Sequence, residues 1–308
     1  MIFGNGRPIL FATDFSEPSA AAQRMAVQLA RAFHQPIEVF HVNIDPTLVL
    51  PPPAGAISMP TVFERVLADT ADQLDRITAE IRAAGVLCAA ATELGRTHAA
   101  IVEHAQKIAA GLIVLGSHQS RGLRRVLFGS VSEAVVEHAP CGVLVVSTGD
   151  PEAPSSRPPD LESLGLILAP SDFSDTSAAA LDAATALARR FDTPMEIFHV
   201  DVDLAATALL AENILPARPI FEQVSAVTAA RLRLLVDEVR HRGVRCVGSA
   251  EFGRSARSIV THARRLGAGL IVLGSPQRHG LGRLLLSGVA DKVVEHAPCS
   301  VLVVPSRA

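Results

Sequence analysis

Tryptophan and tyrosine are absent from the 308 residues, and phenylalanine, with 12 copies, is the only large aromatic residue present. Proteins that hold single-stranded nucleic acid stack its bases on aromatic side chains, and nucleic-acid-binding surfaces carry a basic excess. Here the formal net charge is −3, from 28 basic and 31 acidic residues. The composition therefore argues against nucleic acid as a partner.

Long apolar runs are missing as well, although hydrophobic residues make up 49% of the chain. A membrane-spanning helix needs about 18 consecutive apolar residues, and no segment approaches that length. The beginning, Met1–Arg7, lacks the basic stretch followed by an apolar stretch that is typical of a secretory signal. We therefore expect a cytoplasmic protein without a membrane partner.

Cysteine is scarce, and no two cysteines form a Cys-x-x-Cys pair. The four are Cys88, Cys141, Cys246 and Cys299. The spacing His138-x-x-Cys141, repeated at His296, resembles half of a zinc site, but no second pair of ligands accompanies it. We expect reduced cysteines that pack as small hydrophobic residues, and no metal site.

What the sequence does contain is a long internal repeat. Thr13–Ser16 returns as Ser171–Ser174, and Gly111–Ser117 returns as Gly269–Ser275, each at an offset of 158 residues. This period is far longer than the roughly 20 to 50 residues of solenoid repeats. Each copy is therefore expected to be a whole domain.

Domain boundaries follow from the repeat and from composition. The segment that begins at Gly149 is rich in proline, serine and acidic residues, which is typical of a linker. We expect a first domain over residues 1–148, a linker over 149–163 and a second domain over 164–308.

The first half predicts strands that alternate with helices. Strands are expected at Ile9–Ala12, Ile37–Val42, Val86–Ala91, Leu112–Leu115 and Gly142–Val146, and helices at Glu17–Ala32, Thr61–Ala84, Thr97–Ala109 and Ser130–His138. Short apolar strands joined by helices indicate right-handed crossovers and a parallel sheet that helices cover on both faces. The fold class is therefore α/β, with two tandem open parallel sheets of five strands.

Three structural roles follow from local pattern. Ser16 is a good N-cap for the first helix. The second helix should bury one apolar face, formed by Leu67, Leu74, Ile77 and Ile81. His41, and its counterpart His199, are expected to be partly buried histidines whose hydrogen bonds are satisfied.

Ligands of open parallel sheets bind beyond the carboxyl ends of the strands, where the strand order reverses. Asp14 follows the first strand, and a loop from Gly116 to Gly129 follows the fourth. Ser130 begins a helix and forms a capping box with Glu133, which suits phosphate because free N–H groups and the helix dipole point there. In the second half Ala290 is expected to stand in place of the glutamate and weaken this box. Alternatively, Asp14 only satisfies N–H groups at the helix start.

The motifs as a group resemble those of the universal stress protein family in its tandem form. They are Ala12–Ser16, Phe40–Val42, Leu115–His118, Gly129–Val131 and His138–Cys141. The resemblance implies a sheet in the order 3-2-1-4-5 in each half. It also implies a protein made under starvation, oxidative or low-oxygen stress.

One branch of that family binds ATP through the pattern Gly-x-x-Gly-x9-Gly-Ser/Thr. Gly116 and Gly129–Ser130 match it, whereas Gln119 stands at the second glycine. By resemblance, an adenine nucleotide would contact Thr13, Asp14, Val42, Gly116, Ser117, Gln119, Gly129, Ser130 and Val131. The second half departs twice, with Gln277 at the second glycine and Ser287–Gly288 in inverted order, and Pro276 lacks an N–H. We expect its site to be degenerate.

Two functions remain open. The first is a nucleotide-responsive stress regulator that binds ATP or another adenine nucleotide in its first half and meets a protein partner. The second is a ligand-free interaction scaffold, in which the two fifth strands (Gly142–Val146 and Ser300–Val304) pair. The assembly would be a homodimer or a pseudo-symmetric monomer. No nucleophile, base and orienting group occur together, so we do not expect an enzyme; at most, His118 assists slow hydrolysis.

Overall fold

The computed structural model describes residues 2–4, 6–44, 59–117, 130–148, 160–202, 217–276 and 288–306. Its chain divides into two compact units, one holding the first five strands and the other the last five.

The first unit alternates strands and helices along its length. Its elements are β1 (Ile9–Ala12), α1 (Glu17–Phe33), β2 (Ile37–Asn43), α2 (Met59–Ala83), β3 (Cys88–Leu94), α3 (Thr97–Lys107), β4 (Leu112–Ser117), α4 (Ser130–His138) and β5 (Gly142–Ser147). The strands lie in the order β3-β2-β1-β4-β5, and every neighbouring pair is parallel. The predicted α/β class and strand order are confirmed.

The second unit repeats this arrangement. A short 3-10 helix (Leu161–Ser163) precedes β6 (Ile167–Pro170), α5 (Asp175–Arg190), β7 (Met195–Val202), α6 (Ala217–His241), β8 (Cys246–Gly253), α7 (Ser255–Leu266), β9 (Leu270–Ser275), α8 (Val289–His296) and β10 (Ser300–Pro305). The order is β8-β7-β6-β9-β10. Of the predicted linker, residues 149–159 lie outside the described part, while Leu161 is buried.

The third strand begins and ends later than the sequence pattern indicated. Val86 still belongs to the turn after α2, since its N–H donates to the carbonyl of Ile81 and Gly85 has a φ of +81°. The strand then continues to Leu94, because β2 offers hydrogen-bonding partners as far as Asn43.

The core lies on both faces of the central strands, where Ile9, Leu10 and Phe11 are completely buried. The predicted apolar face of α2 is only half right. Leu74 and Ile81 are buried, whereas Leu67 and Ile77 are only partly buried. This helix packs mainly on β3 at the sheet edge, which offers a narrow surface.

None of the described helices is long and apolar enough to cross a membrane.

Candidate functional site

The residues after β1 lie between the ends of its two neighbours. Ala12 pairs with Phe40 of β2 on one side and with Leu115 of β4 on the other. The N–H of Thr13 extends this contact by donating to the carbonyl of Phe40 at 2.9 Å. Because the chain leaves β1 for β2 on one side and later enters β4 on the other, this edge is the switch point at which parallel sheets open a crevice.

Asp14 organises the start of α1. Its Oδ1 accepts hydrogen bonds from the N–H of Ser16 at 3.1 Å and from the hydroxyls of Ser16 and Ser19, each at 2.5 Å. The side chain of Ser16 in turn accepts from the N–H of Ser19, so the predicted N-cap is confirmed. The helix-start role of Asp14 is thus a feature of the structure. The side chain is also exposed at the crevice, and its contact with a ligand stays a prediction.

His41 lies beside the crevice, near the carboxyl end of β2. Its Nδ1 lies 2.8 Å from the carbonyl oxygen of Thr13, and its ring stacks on Phe15 with the ring centres 4.5 Å apart. Phe15 reaches this position through a left-handed backbone, with a φ of 65°. The prediction of a partly buried, hydrogen-bonded histidine is confirmed, and His199 repeats it on Ser171 at 2.7 Å.

Gly116 is a glycine because α1 comes too close to allow a side chain. A Cβ built there would lie 2.5 Å from the carbonyl carbon of Pro18 and 2.7 Å from the nitrogen of Ser19. Gly274 has the same problem, with the carbonyl oxygen of Thr176 at 2.5 Å. Packing therefore requires the first glycine of the motif in both units, whatever they bind. Sequence reasoning missed this role.

Ser117, the last residue of β4, is only 1% exposed, and its Oγ has no hydrogen-bond partner within the described ranges. A buried hydroxyl without a partner costs about 1 to 3 kcal/mol, so this atom is suited to meet a polar group of a ligand or loop. Val42 lies at the end of β2 and is buried.

Ser130 and Val131 form the start of α4. Since α4 connects two parallel strands, β4 and β5, its N-terminus lies at the same edge as Asp14 and Ser117. The remaining expected nucleotide residues, Gln119 and Gly129, lie outside the described residues, as does His118.

The second unit keeps the first part of this site. Partial burial acts to raise the pKa of Asp172. Hydrogen bonds from Ser174 and Ser177 outweigh this effect and hold the pKa below its usual range. This carboxylate therefore caps the start of α5 in ionised form, at the position that corresponds to Asp14 in the first unit.

The start of α8 corrects an expectation. The counterpart of Glu133 is Asp291, not Ala290, which corresponds to Ser132. Asp291 Oδ2 accepts a hydrogen bond from the N–H of Gly288 at 2.8 Å. The capping contact is thus present rather than weakened, and it is the counterpart of the capping box expected between Ser130 and Glu133 in the first unit.

A pair of buried histidines was not anticipated from the sequence. His104 lies between two carboxylates, with Nε2 2.6 Å from Glu38 Oε1 and Nδ1 3.1 Å from Glu93 Oε1. In the second unit His262 Nε2 lies 2.7 Å from Glu196 Oε1. Both pairs tie a helix to the neighbouring β2 or β7, away from the crevice. The signal that could have found them is the repeat itself, since histidine and glutamate recur together at the offset of 158.

All four cysteines are free thiols. Burial raises the pKa of Cys141 and of Cys299 to about 12 and that of Cys246 to about 11, and it also raises the pKa of Cys88. Such thiols are weak nucleophiles and weak ligands at neutral pH. No cluster of three or more His, Cys, Asp or Glu residues suited to a metal occurs in the described part of the chain.

The two units define a class of α/β domain with an open five-stranded parallel sheet and a crevice at the switch point. The sequence pattern of the universal stress protein family matches residues 6–147 and again residues 165–305. The chain therefore belongs to the universal stress protein family and carries two copies of its domain, as the resemblance had implied.

Relatives support the tandem arrangement. The chain is 30% identical over 304 residues to a universal stress protein of Mycolicibacterium smegmatis, with 97% of each chain covered. It is 33% identical over 138 residues to the universal stress protein YxiE of Bacillus subtilis, which covers 43% of this chain and 93% of YxiE. A universal stress protein structure from Archaeoglobus fulgidus has the same fold, with a TM-score of 0.71, 19% identity, and 98% of this chain and 100% of that chain covered.

Proposed function

We propose that this protein is a nucleotide-responsive stress regulator that binds ATP or another adenine nucleotide at the crevice of its first unit. In this proposal Asp14 and Val42 hold the ribose and adenine side, and Ser117, Ser130 and Val131 line the phosphates. Gln119 and Gly129 complete the set.

The buried hydroxyl of Ser117 is the observation that carries the proposal. It lies at the switch point, and the described residues leave its hydrogen-bonding capacity unused. The start of α4, with its helix dipole, is on the same edge and favours a negatively charged group there.

The second unit serves a structural role in this proposal. Pro276 removes one backbone donor after β9, and Gln277 and Ser287–Gly288 depart from the glycine pattern. A phosphate at this place would therefore lose a backbone donor.

The first test is to denature freshly purified protein and to identify released small molecules by mass spectrometry. We expect an adenine nucleotide in an amount close to one per chain. Added ATP should also raise the melting temperature of protein that has been stripped of ligand.

The matched variants are Asp14→Ala and Asp172→Ala, because both residues cap a helix in the same way. Both substitutions should lower the melting temperature of the ligand-free protein. Only Asp14→Ala should abolish the further rise with ATP. If Asp172→Ala abolished it instead, or if neither did, the site in the first unit would be wrong.

A second candidate, a ligand-free interaction scaffold, is favoured by one observation. The fold alone accounts for Asp14 and Gly116, because Asp14 caps α1 and Gly116 leaves room for α1 to pack. A protein purified empty, with no effect of ATP on its melting temperature, would support this candidate.

The proposal includes no catalytic role. It also takes the protein to be cytoplasmic, because four free thiols suit a reducing compartment. Association into a homodimer through a protein surface is part of the same proposal, and light scattering of the purified protein tests it.

A further inference from the structure

We infer that the outward face of α7 binds an acidic helix of another protein through a row of arginines. The arginine row is formed by Arg254, which precedes the helix, and by Arg257, Arg264 and Arg265 within it. This inference does not depend on nucleotide binding, because it rests on the charge of one helix in the second unit and uses none of the residues proposed for the nucleotide.

The helical period places these arginines on one face together with Thr261. The steps from Arg254 to Arg257, Thr261 and Arg264 are three, four and three residues, which follow a turn of about 3.6 residues. These four side chains and that of Arg265 are exposed. The other side of α7 packs on β7 and β8, and its buried apolar residues are Ile259, Val260 and Ala263.

Most hydrogen-bond donors of the arginine row are left for a partner. Arg254 and Arg257 form no hydrogen bond or ion pair with another described residue. Arg264 uses one nitrogen, 3.3 Å from a carbonyl oxygen of α8, and Arg265 uses one nitrogen, 2.5 Å from Nδ1 of His262. Since a guanidinium group has five N–H donors, these two contacts hold the side chains in place and leave further donors for a partner.

The first unit shows that the common fold does not require these charges. The helix α7 and its cap residue contain no acidic residue, whereas α3 has Glu103 at the position of Thr261. Ala99 of α3 stands at the position of Arg257. The complete arginine row is therefore a property of the second unit, and packing of the domain does not explain it.

Acidic side chains limit the width of the positive surface. Glu251 of β8 lies on the same side of the sheet as α7, because Ser249, two residues earlier in the strand, contacts His262 of α7. On the other side α8 packs beside α7 and carries charges of both signs, which are Asp291, Lys292 and Glu295. The arginine row is thus about one helix wide and, over ten residues, about 15 Å long. These are the dimensions of a short helix and not of a flat membrane surface.

Charge complementarity gives the chemistry of the partner. Guanidinium groups bind carboxylates through two parallel hydrogen bonds in one plane. Carboxylates at positions i, i+3, i+7 and i+10 of a helix repeat the spacing of the exposed residues on α7. An acidic helix that lies along α7 therefore meets the arginine row with one carboxylate per turn.

Nucleic acid matches this face less well than an acidic helix does. Four arginines are fewer than the roughly six to ten phosphate contacts of typical duplex-binding proteins. Single strands are usually held by aromatic side chains, and α7 has none. Leu266, at the end of the arginine row, is 38% exposed and offers an apolar contact that a protein segment can use.

The probe is an alanine-based helical peptide of about 18 residues, blocked at both ends, with glutamates at i, i+3, i+7 and i+10. Its binding to the isotope-labelled full chain is followed by NMR at low salt, through the amides of α7 and the Nε–H groups of its arginines. We expect saturable shifts at these groups with roughly millimolar peptide, because exposed ion pairs are individually weak. The same peptide with glutamines should cause no shifts, and high salt should abolish those caused by the glutamates.

Matched variants locate the site on α7. Arg257→Ala should weaken binding about two- to fivefold, because it removes one exposed ion pair. Thr261→Glu, which introduces the residue of the first unit, should weaken binding further because it places a negative charge within the row. Arg233→Ala is the control, since it removes the same charge from an exposed position of α6 and should leave the affinity unchanged. The melting temperatures of all three variants should stay near that of the wild type.

Absence of shifts in α7 with the acidic peptide, or equal weakening by Arg233→Ala and Arg257→Ala, would overturn the inference. A stronger response of the same groups to oligothymidine, or to vesicles that contain phosphatidylserine, would also overturn it, because the partner would then be nucleic acid or a membrane. Shifts in α7 that follow protein concentration alone would assign this face to a second copy of the chain and refute the acidic helix.

Discussion

At the scale of single residues, a motif position can have a structural cause that its pattern hides. Gly116 matches the first glycine of a nucleotide-binding pattern, yet the close approach of Pro18 already forbids any larger residue. Asp14 matches the same pattern and also holds the start of α1 through Ser16 and Ser19. A residue with two reasons to be present carries less information about the ligand than Ser117, whose buried hydroxyl has no partner in the described structure.

Replacement of Gly116 separates its role in the packing of α1 from a role in binding a ligand. Gly116→Ala should destabilise the nucleotide-free protein by about 1 to 3 kcal/mol, because the new Cβ pushes against the backbone at Pro18 and Ser19. Urea unfolding followed by circular dichroism measures this free energy. Gly274→Ala, which meets the backbone of Thr176, should cost a similar amount. An unchanged midpoint for Gly116→Ala would mean that the glycine serves a ligand and not the packing of α1.

At the scale of elements, the sequence predicted most helices and strands, because apolar periodicity and capping residues decide them locally. The start of α1 at Glu17 and the whole of α4 are of this kind. The end of β3 was missed because the length of β2, and not local sequence, decides how far pairing continues. His104 was missed because its partners, Glu38 and Glu93, are distant in sequence and meet only after the sheet has formed.

The carboxylate that starts α5 should make the second unit sensitive to acid. Hydrogen bonds that outweigh burial lower the pKa of Asp172 in the folded state, so its contribution to stability is present above the ordinary pKa. That contribution is lost as the pH falls through the lowered value, below roughly pH 4. Asp172→Asn should therefore be less stable than the wild type at neutral pH and lose less stability on acidification.

Urea midpoints at neutral pH and at about pH 3 measure this difference. Asp192→Asn is the control, because that side chain is 97% exposed. A gap between wild type and Asp172→Asn that stays equal at both pH values would contradict the assignment of Asp172 as an ionised cap.

At the scale of the whole molecule, the repeat lets each unit serve as the reference for the other. The two units share their strand order, the cap at the start of the first helix and the glycine beneath it. They differ after the fourth strand of each unit, where the second has Pro276 and the first has His118. Sequence comparison of the halves found the proline, whereas the structure shows that Asp291 caps the start of α8.

This difference predicts that ATP protects one unit and not the other. Ligand present at one hundred times its dissociation constant stabilises the state that binds it by about 2.7 kcal/mol. Amide hydrogen exchange with mass spectrometry should therefore slow in β1, β4 and α4 when ATP is added, while β6, β9 and α8 exchange at unchanged rates. Equal slowing in both units of the wild type would refute the view that only the first binds nucleotide, and no slowing in either would leave interaction with other proteins as its function.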